Sequence, residues 1–193
     1  MTIVLASNSA SRKAMLDAAG IDYVAQGAQV DERALEAQAP GSGAADIALL
    51  LAEAKAMAIN GAGQLVLGSD SLVSVDGCRF DKPASRDEAA GHLQFFSGKI
   101  MHLHSAAALA REGSIVWRHG AMAALQVHDL SNDFIESYLD AEWPHIGSCA
   151  GAFRIEARGP TLFRTIEGDM FTVLGMPLLA VLTALRDFGE LPA

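Results

Sequence analysis

Leu65-Val66-Leu67-Gly68-Ser69-Asp70-Ser71-Leu72-Val73-Ser74-Val75 reads as one apolar strand interrupted by a polar step, Gly68 to Ser71. An ionisable Asp70 between two hydroxyls and beside a glycine is costly inside a hydrophobic strand unless something pairs with it. Two readings follow. Either the step is a strand-end turn in which Asp70 caps backbone amides, or the strand carries a paired carboxylate with work to do. The choice depends on the rest of the chain.

Upstream, Asp46 to Ile59 repeats Ile47, Leu50, Leu51, Ala54 and Met57 or Ala58 at i, i+3, i+4 spacing. That predicts a helix with Lys55 between apolar rows. A lysine there is ordinarily solvated and acts chemically only if its helix lines a cleft. Pro40-Gly41-Ser42-Gly43 is a turn, and Asp31-Glu32-Arg33 is a charged step after the extended Tyr23-Val24 and Gln29-Val30. Ile3 to Ala6 predicts a short buried strand, Ser7 to Ser11 a polar turn, and Arg12 to Ala19 a helix ended by Gly20. Strand, hydroxyl-rich turn and helix is an arrangement in which helix-start amides meet an anion. Arg12 and Lys13 add positive charge there, although an ordinary serine cap with solvated basic residues fits equally.

Downstream, Asp76-Gly77 is a hairpin turn with Cys78-Arg79-Phe80 returning. Ser85-Arg86-Asp87-Glu88 is a capping box for a helix through Phe95-Phe96. Ile100 to Ala110 and Ser114 to Val127 make a long hairpin around Glu112-Gly113. His102 and His104 share one strand face, but without a third nearby ligand they read as surface histidines rather than a zinc site. Ser131 to Ala141 predicts a helix, Pro144 to Gly159 an irregular segment, and Thr161 to Ile166 a strand. Pro177 suits the start of a last helix, Leu178 to Asp187. The mixture predicts an α/β or α+β fold rather than regular βαβ alternation.

The 193 residues suffice for one large domain or two closely joined lobes. A formal charge of −9 opposes general binding to nucleic acid or anionic membrane, but not a small anion in a local basic pocket. Two cysteines, Cys78 and Cys149, make neither a disulfide framework nor metal spacing, which points to a reducing cytoplasm. No secretory signal is visible, and the longest apolar segment, Val173 to Leu185, is shorter than the ~20 residues of a membrane span.

Among chemical signatures, the phosphate loop G-x-x-x-x-G-K-[ST], the dinucleotide fingerprint G-x-G-x-x-G and the elbow G-x-S-x-G are missing. What remains is hard oxygen ligands, Glu32 and Asp70, against cations, Arg12, Lys55 and Lys82. Carboxylates without thiol or paired imidazole suit Mg²⁺ or Mn²⁺. Cations and helix-start amides suit a polyphosphate, so the combination points to metal-assisted hydrolysis of a phosphoanhydride.

The opening Leu5-Ala6-Ser7-Asn8-Ser9-Ala10-Ser11-Arg12 resembles the entry motif L-A-S-x-S-P-R-R of the Maf family of nucleoside triphosphate pyrophosphatases. Val30-Asp31-Glu32, the helix with Lys55, Gly68-Ser69-Asp70, Lys82-Pro83, Ser97-Gly98, Ala150 to Phe153, Glu167-Gly168-Asp169 and Gly175 to Leu178 follow in order. The resemblance covers residues 1–193 as one domain. It implies a mixed twisted sheet flanked by helices, two-lobed and inosine-triphosphatase-like, with the cleft between lobes. It also implies a cytoplasmic house-cleaning enzyme, often homodimeric and linked to septum formation, that cuts a nucleoside triphosphate to monophosphate and pyrophosphate with a divalent metal. Carried onto matching positions, Asp70 becomes the general base or a metal ligand and Glu32 a metal ligand. Ser7, Ser9, Arg12, Lys55 and Lys82 become triphosphate contacts.

The departures concern specificity. Ala10 replaces the motif's proline and Ser11 its first arginine. The dTTP/UTP branch carries G-A-D-T and Y-G-I-Q-G, where this chain has Ser71 and Glu156. Cys149 to Glu156 instead resembles C-A-G-S-F-x-x-E of the 7-methyl-GTP branch, which has tryptophan and glutamine at the places of Ser11 and Ser71. Glu156 could accept from a guanine N1–H and N2–H₂ edge, or pair with Arg154 or Arg158. Two alternatives stand beside the pyrophosphatase. One is a nucleotide-binding regulator of septation with little turnover. The other, a serine hydrolase on Ser7 or Ser9, lacks an identifiable base.

Overall fold

A computed structural model of the protein describes residues 2–192. In chain order the elements begin with β1 (Ile3–Leu5), α1 (Ala10–Ala18), β2 (Tyr23–Ala25), α2 (Glu32–Ala37) and α3 (Ala44–Met57). There follow β3 (Val66–Val75), β4 (Cys78–Phe80), α4 (Arg86–Phe96), β5 (Ile100–Arg111) and β6 (Ser114–Val127). The chain ends with α5 (Asn132–Glu142), β7 (Phe163–Glu167), α6 (Met170–Val173) and α7 (Leu178–Asp187), with 3₁₀ turns at His145–Ser148 and Gly159–Leu162. The seven strands form one mixed sheet with helices around it, the α/β class read from the sequence. By chain contacts the residues group into two units.

The first unit takes the chain up to Ser71, His104–Met122 and the segment from Asp169 onward. Its strands run in the order β2-β1-β3, all parallel, with Ile3 beside Tyr23 and Leu5 beside Leu67, and β5 and β6 follow. Alternation of side chains sends Ile3, Leu5, Leu65 and Leu67 to one face. There they pack with Met15 and Leu16 of α1 and with Leu178, Val181 and Leu185 of α7. The opposite face receives α3. A Cβ on Gly68 would stand 2.1 Å from the Ala52 carbonyl oxygen and 2.4 Å from the Ala56 nitrogen, so only glycine lets this helix lie so close. Since α1 and α3 lie on opposite faces and β1 sits between β2 and β3, the order reverses at β1 and β3. Open α/β sheets bind ligands at the carboxyl ends of such strands.

The second unit takes Leu72–Leu103 and Ala123–Gly168. Asp76 and Gly77, both at positive φ, turn β3 into β4, as the Asp-Gly pair predicts. Ser85 Oγ accepts from the Glu88 N–H to open α4, while Glu88 reaches back to the Ala84 N–H. The rings of Phe80, His92 and Phe96 pack edge to face and tilted. Strand β7 pairs antiparallel with β6, Ala124 opposite Glu167.

Several sequence expectations move. The strand through Asp70 is continuous over Val66–Val75, so the polar step is not a turn. Helix α1 starts at Ala10 because Ser9 caps it, and the charged step Asp31-Glu32-Arg33 opens a short helix, with Glu32 in the first turn of α2 and Asp31 as its cap. Strand β7 begins at Phe163, because Gly159–Leu162 forms a 3₁₀ turn around Pro160.

Candidate active site

Because β3 is a strand, Gly68 and Asp70 face α3 while Ser69 and Ser71 face the other way. Asp70 is buried, and its Oδ1 lies 2.5 Å from Lys55 Nζ. Glu32 Oε1 reaches the same ammonium at 2.7 Å. Lys55 is one helical turn from Ala52, on the side of α3 that meets Gly68, so the lysine read as ordinarily solvated is mostly enclosed. One cation thus holds two carboxylates that the chain separates by 38 positions. The pairing answers the cost of placing Asp70 inside a sheet.

On the other face, Arg12 of α1 donates from Nε to the Gly175 carbonyl at 3.1 Å and from Nη1 to Ser7 Oγ at 3.4 Å. Ser69 Oγ donates to the same carbonyl at 3.3 Å. Burial disfavours the Arg12 charge and lowers it from the ordinary arginine value, while Asp70 and then Glu32 draw it back up. Ser7 Oγ also accepts from the Ser9 N–H, so both of its contacts are received and its own proton is left for a ligand. Ser9 is the helix cap, accepting from the Arg12 N–H at 3.5 Å. The capping reading holds for Ser9, and the same turn brings Arg12 into the site. Ser11 is half-buried on the first turn of α1.

Glu32 and Asp70 are hard oxygen donors that converge on one point, now taken by an ammonium. Among the described residues no cluster of three or more His, Cys, Asp or Glu converges in this way. The two carboxylates, as hard oxygen donors, are of the kind that suits a hard divalent cation such as Mg²⁺ or Mn²⁺. In charge, Arg12 and Lys55 balance Glu32 and Asp70, which leaves no surplus to meet a polyphosphate unless a metal supplies it.

Lys82 and Glu156 belong to the second unit. Both are exposed, and neither makes a hydrogen bond or ion pair among the described residues. The predicted alternative for Glu156, a pair with Arg154 or Arg158, does not form among the described residues. Arg154 instead puts Nε and Nη2 each 3.0 Å from Oε2 of the buried Glu142. Lys82 and Glu156 act electrostatically on the same thiol, Cys149, which burial pushes above the ordinary cysteine range.

The sequence reading missed Ser69, Ser105 and the Gly175 carbonyl. The parity of β3 was the available signal for Ser69, since it must face away from Asp70. Gly175 stands in a motif match, but nothing local gives its carbonyl a role, and nothing local marks Ser105; both meet β3 only in the folded chain.

The sequence profile of the family described as Maf-like protein matches residues 2–188. The chain is 43% identical to a 7-methyl-GTP pyrophosphatase of Rhizobium meliloti (strain 1021), covering 99% of this chain and 98% of that one. It is 42% identical to a nucleoside triphosphate pyrophosphatase of Sphingopyxis alaskensis over the whole of both chains. Among solved structures, the Staphylococcus aureus Ham1 protein aligns with 99% of this chain and all of its own, at 16% identity and a TM-score of 0.47.

Proposed function

The chain belongs to the Maf-like protein family, and from that premise we propose that it is a nucleoside triphosphate pyrophosphatase, releasing a nucleoside monophosphate and pyrophosphate. The observation that carries the reading is Asp70, enclosed in β3 yet tied to Lys55 and Glu32 at the carboxyl end of β1.

In the proposed reaction Asp70 takes a proton from the attacking water. The water oxygen bonds to the α-phosphorus as the bond from that phosphorus to the bridging oxygen breaks, and pyrophosphate leaves. Arg12 and Lys55 neutralise phosphate oxygens, the Ser7 hydroxyl donates to one, and Lys82 adds a cation. Ser9 orients the helix-start amides around the same group. Glu32 and Asp70 would hold Mg²⁺ or Mn²⁺, which supplies charge neutralisation at the transferring phosphoryl group. Lys55, which pairs with both carboxylates, would turn its ammonium to a phosphate oxygen once the substrate is bound.

For the base, we assign Glu156 as acceptor for a guanine-type edge, in keeping with its making no hydrogen bond or ion pair among the described residues and with the names of the relatives. Ser11 and Ser71, small where the branches carry larger residues, leave room for a modified or varied base. Residues 1–193 act as one domain in this reading, and a reducing cytoplasm suits the free thiols of Cys78 and Cys149.

The test is a panel of GTP, 7-methyl-GTP, dTTP and UTP with Mg²⁺ or Mn²⁺, with product identification. Pyrophosphate should appear, guanine-type substrates should outrun dTTP, and Asp70→Asn should abolish turnover. Glu156→Gln should change the ranking. Orthophosphate as the first product would overturn the assignment of the bond cut.

A further inference from the structure

Ser105 of β5 is sealed within the first unit, 1% exposed. Its Oγ lies 2.8 Å from the Thr172 carbonyl oxygen and 2.9 Å from Ser71 Oγ. A serine hydroxyl has one proton, and a carbonyl oxygen can only accept. The Ser105 proton therefore goes to Thr172, and the bond between the two hydroxyls runs from Ser71 to Ser105. Ser71 then has no proton left. It turns only lone pairs outward.

The arrangement is held firmly. The Thr172 carbonyl also accepts the Gly175 N–H at 3.1 Å, and the Thr172 N–H and hydroxyl both donate to Asp169, the cap of α6. Ser71 itself is half-buried, unlike Ser69 and Ser105. A Cβ on Gly175 would stand 3.9 Å from Arg12 Nη2 and 4.0 Å from Ser71 Oγ, so an arginine donor and a serine acceptor flank the same spot. That spot adjoins Asp70 through the chain.

We propose that Ser105 is a specificity-positioning residue that makes Ser71 an obligate hydrogen-bond acceptor, so that this point of the site selects nucleotides presenting an N–H or O–H donor. The inference rests on the pyrophosphatase reading. The donor is either the exocyclic amine of a guanine-type base or the ribose 2′-hydroxyl. A nucleotide that presents a carbonyl there meets lone pairs against lone pairs and is disfavoured.

The experiment measures kcat/KM for GTP, XTP (a carbonyl in place of the amine) and dGTP (no 2′-hydroxyl). The enzymes are the wild type, Ser71→Ala, Ser105→Ala and the double variant, with thermal denaturation of each. In the wild type GTP should exceed either XTP or dGTP by roughly three- to tenfold, the worth of one neutral hydrogen bond. Whichever gap appears names the donor. That gap should close in Ser71→Ala and shrink in Ser105→Ala, where the Ser71 hydroxyl can turn and donate. Adding Ser105→Ala to Ser71→Ala should leave it unmoved. If Ser105→Ala does not fold, Ser105→Cys, similar in volume and a weak donor, carries the same readout. A Ser105 variant that lowers every kcat/KM alike with the gaps intact would overturn the proposal, as would a wild type with neither gap. Turnover with unmoved gaps sinks this inference alone, whereas no pyrophosphate from any nucleotide sinks the pyrophosphatase reading as well.

Discussion

Asp70 Oδ1 and Lys55 Nζ lie 2.5 Å apart, and Glu32 closes on the same ammonium at 2.7 Å. Lys55 thus bridges two carboxylates carried by α2 and β3 from its place on α3. Lys55→Met should lower thermal stability by about 2–3 kcal/mol, because it leaves the buried Asp70 without its counter-charge. It should also cut kcat/KM at least ~100-fold, within the range for lost charge stabilisation of a transition state. Asp70→Asn keeps an acceptor for Lys55 and should leave the melting temperature nearly unchanged while turnover disappears. Calorimetry alongside pyrophosphate release separates the two. Equal destabilisation by both variants would show that Asp70 is chiefly structural.

Gly68→Ala should cost about 3 kcal/mol, since the new methyl meets backbone atoms of α3 that no rotamer change can move. For a chain of this size that is roughly 6–12 °C of melting temperature. A variant of wild-type stability would mean that α3 can retreat from β3, and activity should then fall as Lys55 leaves Asp70.

In the second unit, Glu142 has a side chain only 4% exposed and depends on Arg154. Arg154→Met should destabilise by about 3 kcal/mol through the uncompensated carboxylate, and adding Glu142→Gln should recover most of it. The functional corollary is that Arg154, held by Glu142, leaves Glu156 free. In the single variant the substrate ranking should persist even as stability drops, which urea titration and the nucleotide panel can read side by side.

His92 packs against Phe80 and Phe96, and burial lowers it from the ordinary histidine value of 6.5, with Glu88 and Asp81 opposing. Below that pH the unfolded chain takes up a proton that the native state resists, so stability falls as pH drops and rises as pH increases. His92→Phe removes this proton uptake and suits the aromatic cluster. Its melting temperature should fall less than that of the wild type between pH 7 and pH 5.5, and identical slopes would refute the assignment.

Much of the local structure was legible in the residues. Asp76-Gly77 and Glu112-Gly113 marked two hairpins because both turn positions need positive φ, which they have. The capping box at Ser85 before α4 and the apolar spacing of α3 likewise point to helices by interactions within a few residues. The resemblance to known motifs named Ser7, Arg12, Lys55 and Asp70 from their chain order, and the fold brings Lys55 to Asp70 and Arg12 to Ser7. Glu32 was also marked, but the α2 turn that carries it was not, since a helix of six residues has too little periodicity to read.

What folding alone decided concerns partners far apart in the chain. Whether Asp70 sat in a turn or a strand depended on Lys55 arriving from α3 to neutralise it, and on Gly68 letting that helix come close. The Gly175 carbonyl gathers Arg12 and Ser69, and Ser105 directs the Ser71 proton, through contacts spanning 34 to 163 positions. Local propensity and spacing act within a turn or two of chain, so they settle where helices and hairpins form. The pairing of charges and the direction of a hydroxyl proton depend on which groups the packed sheet and helices bring within 3 Å or so, and only the assembled fold determines that.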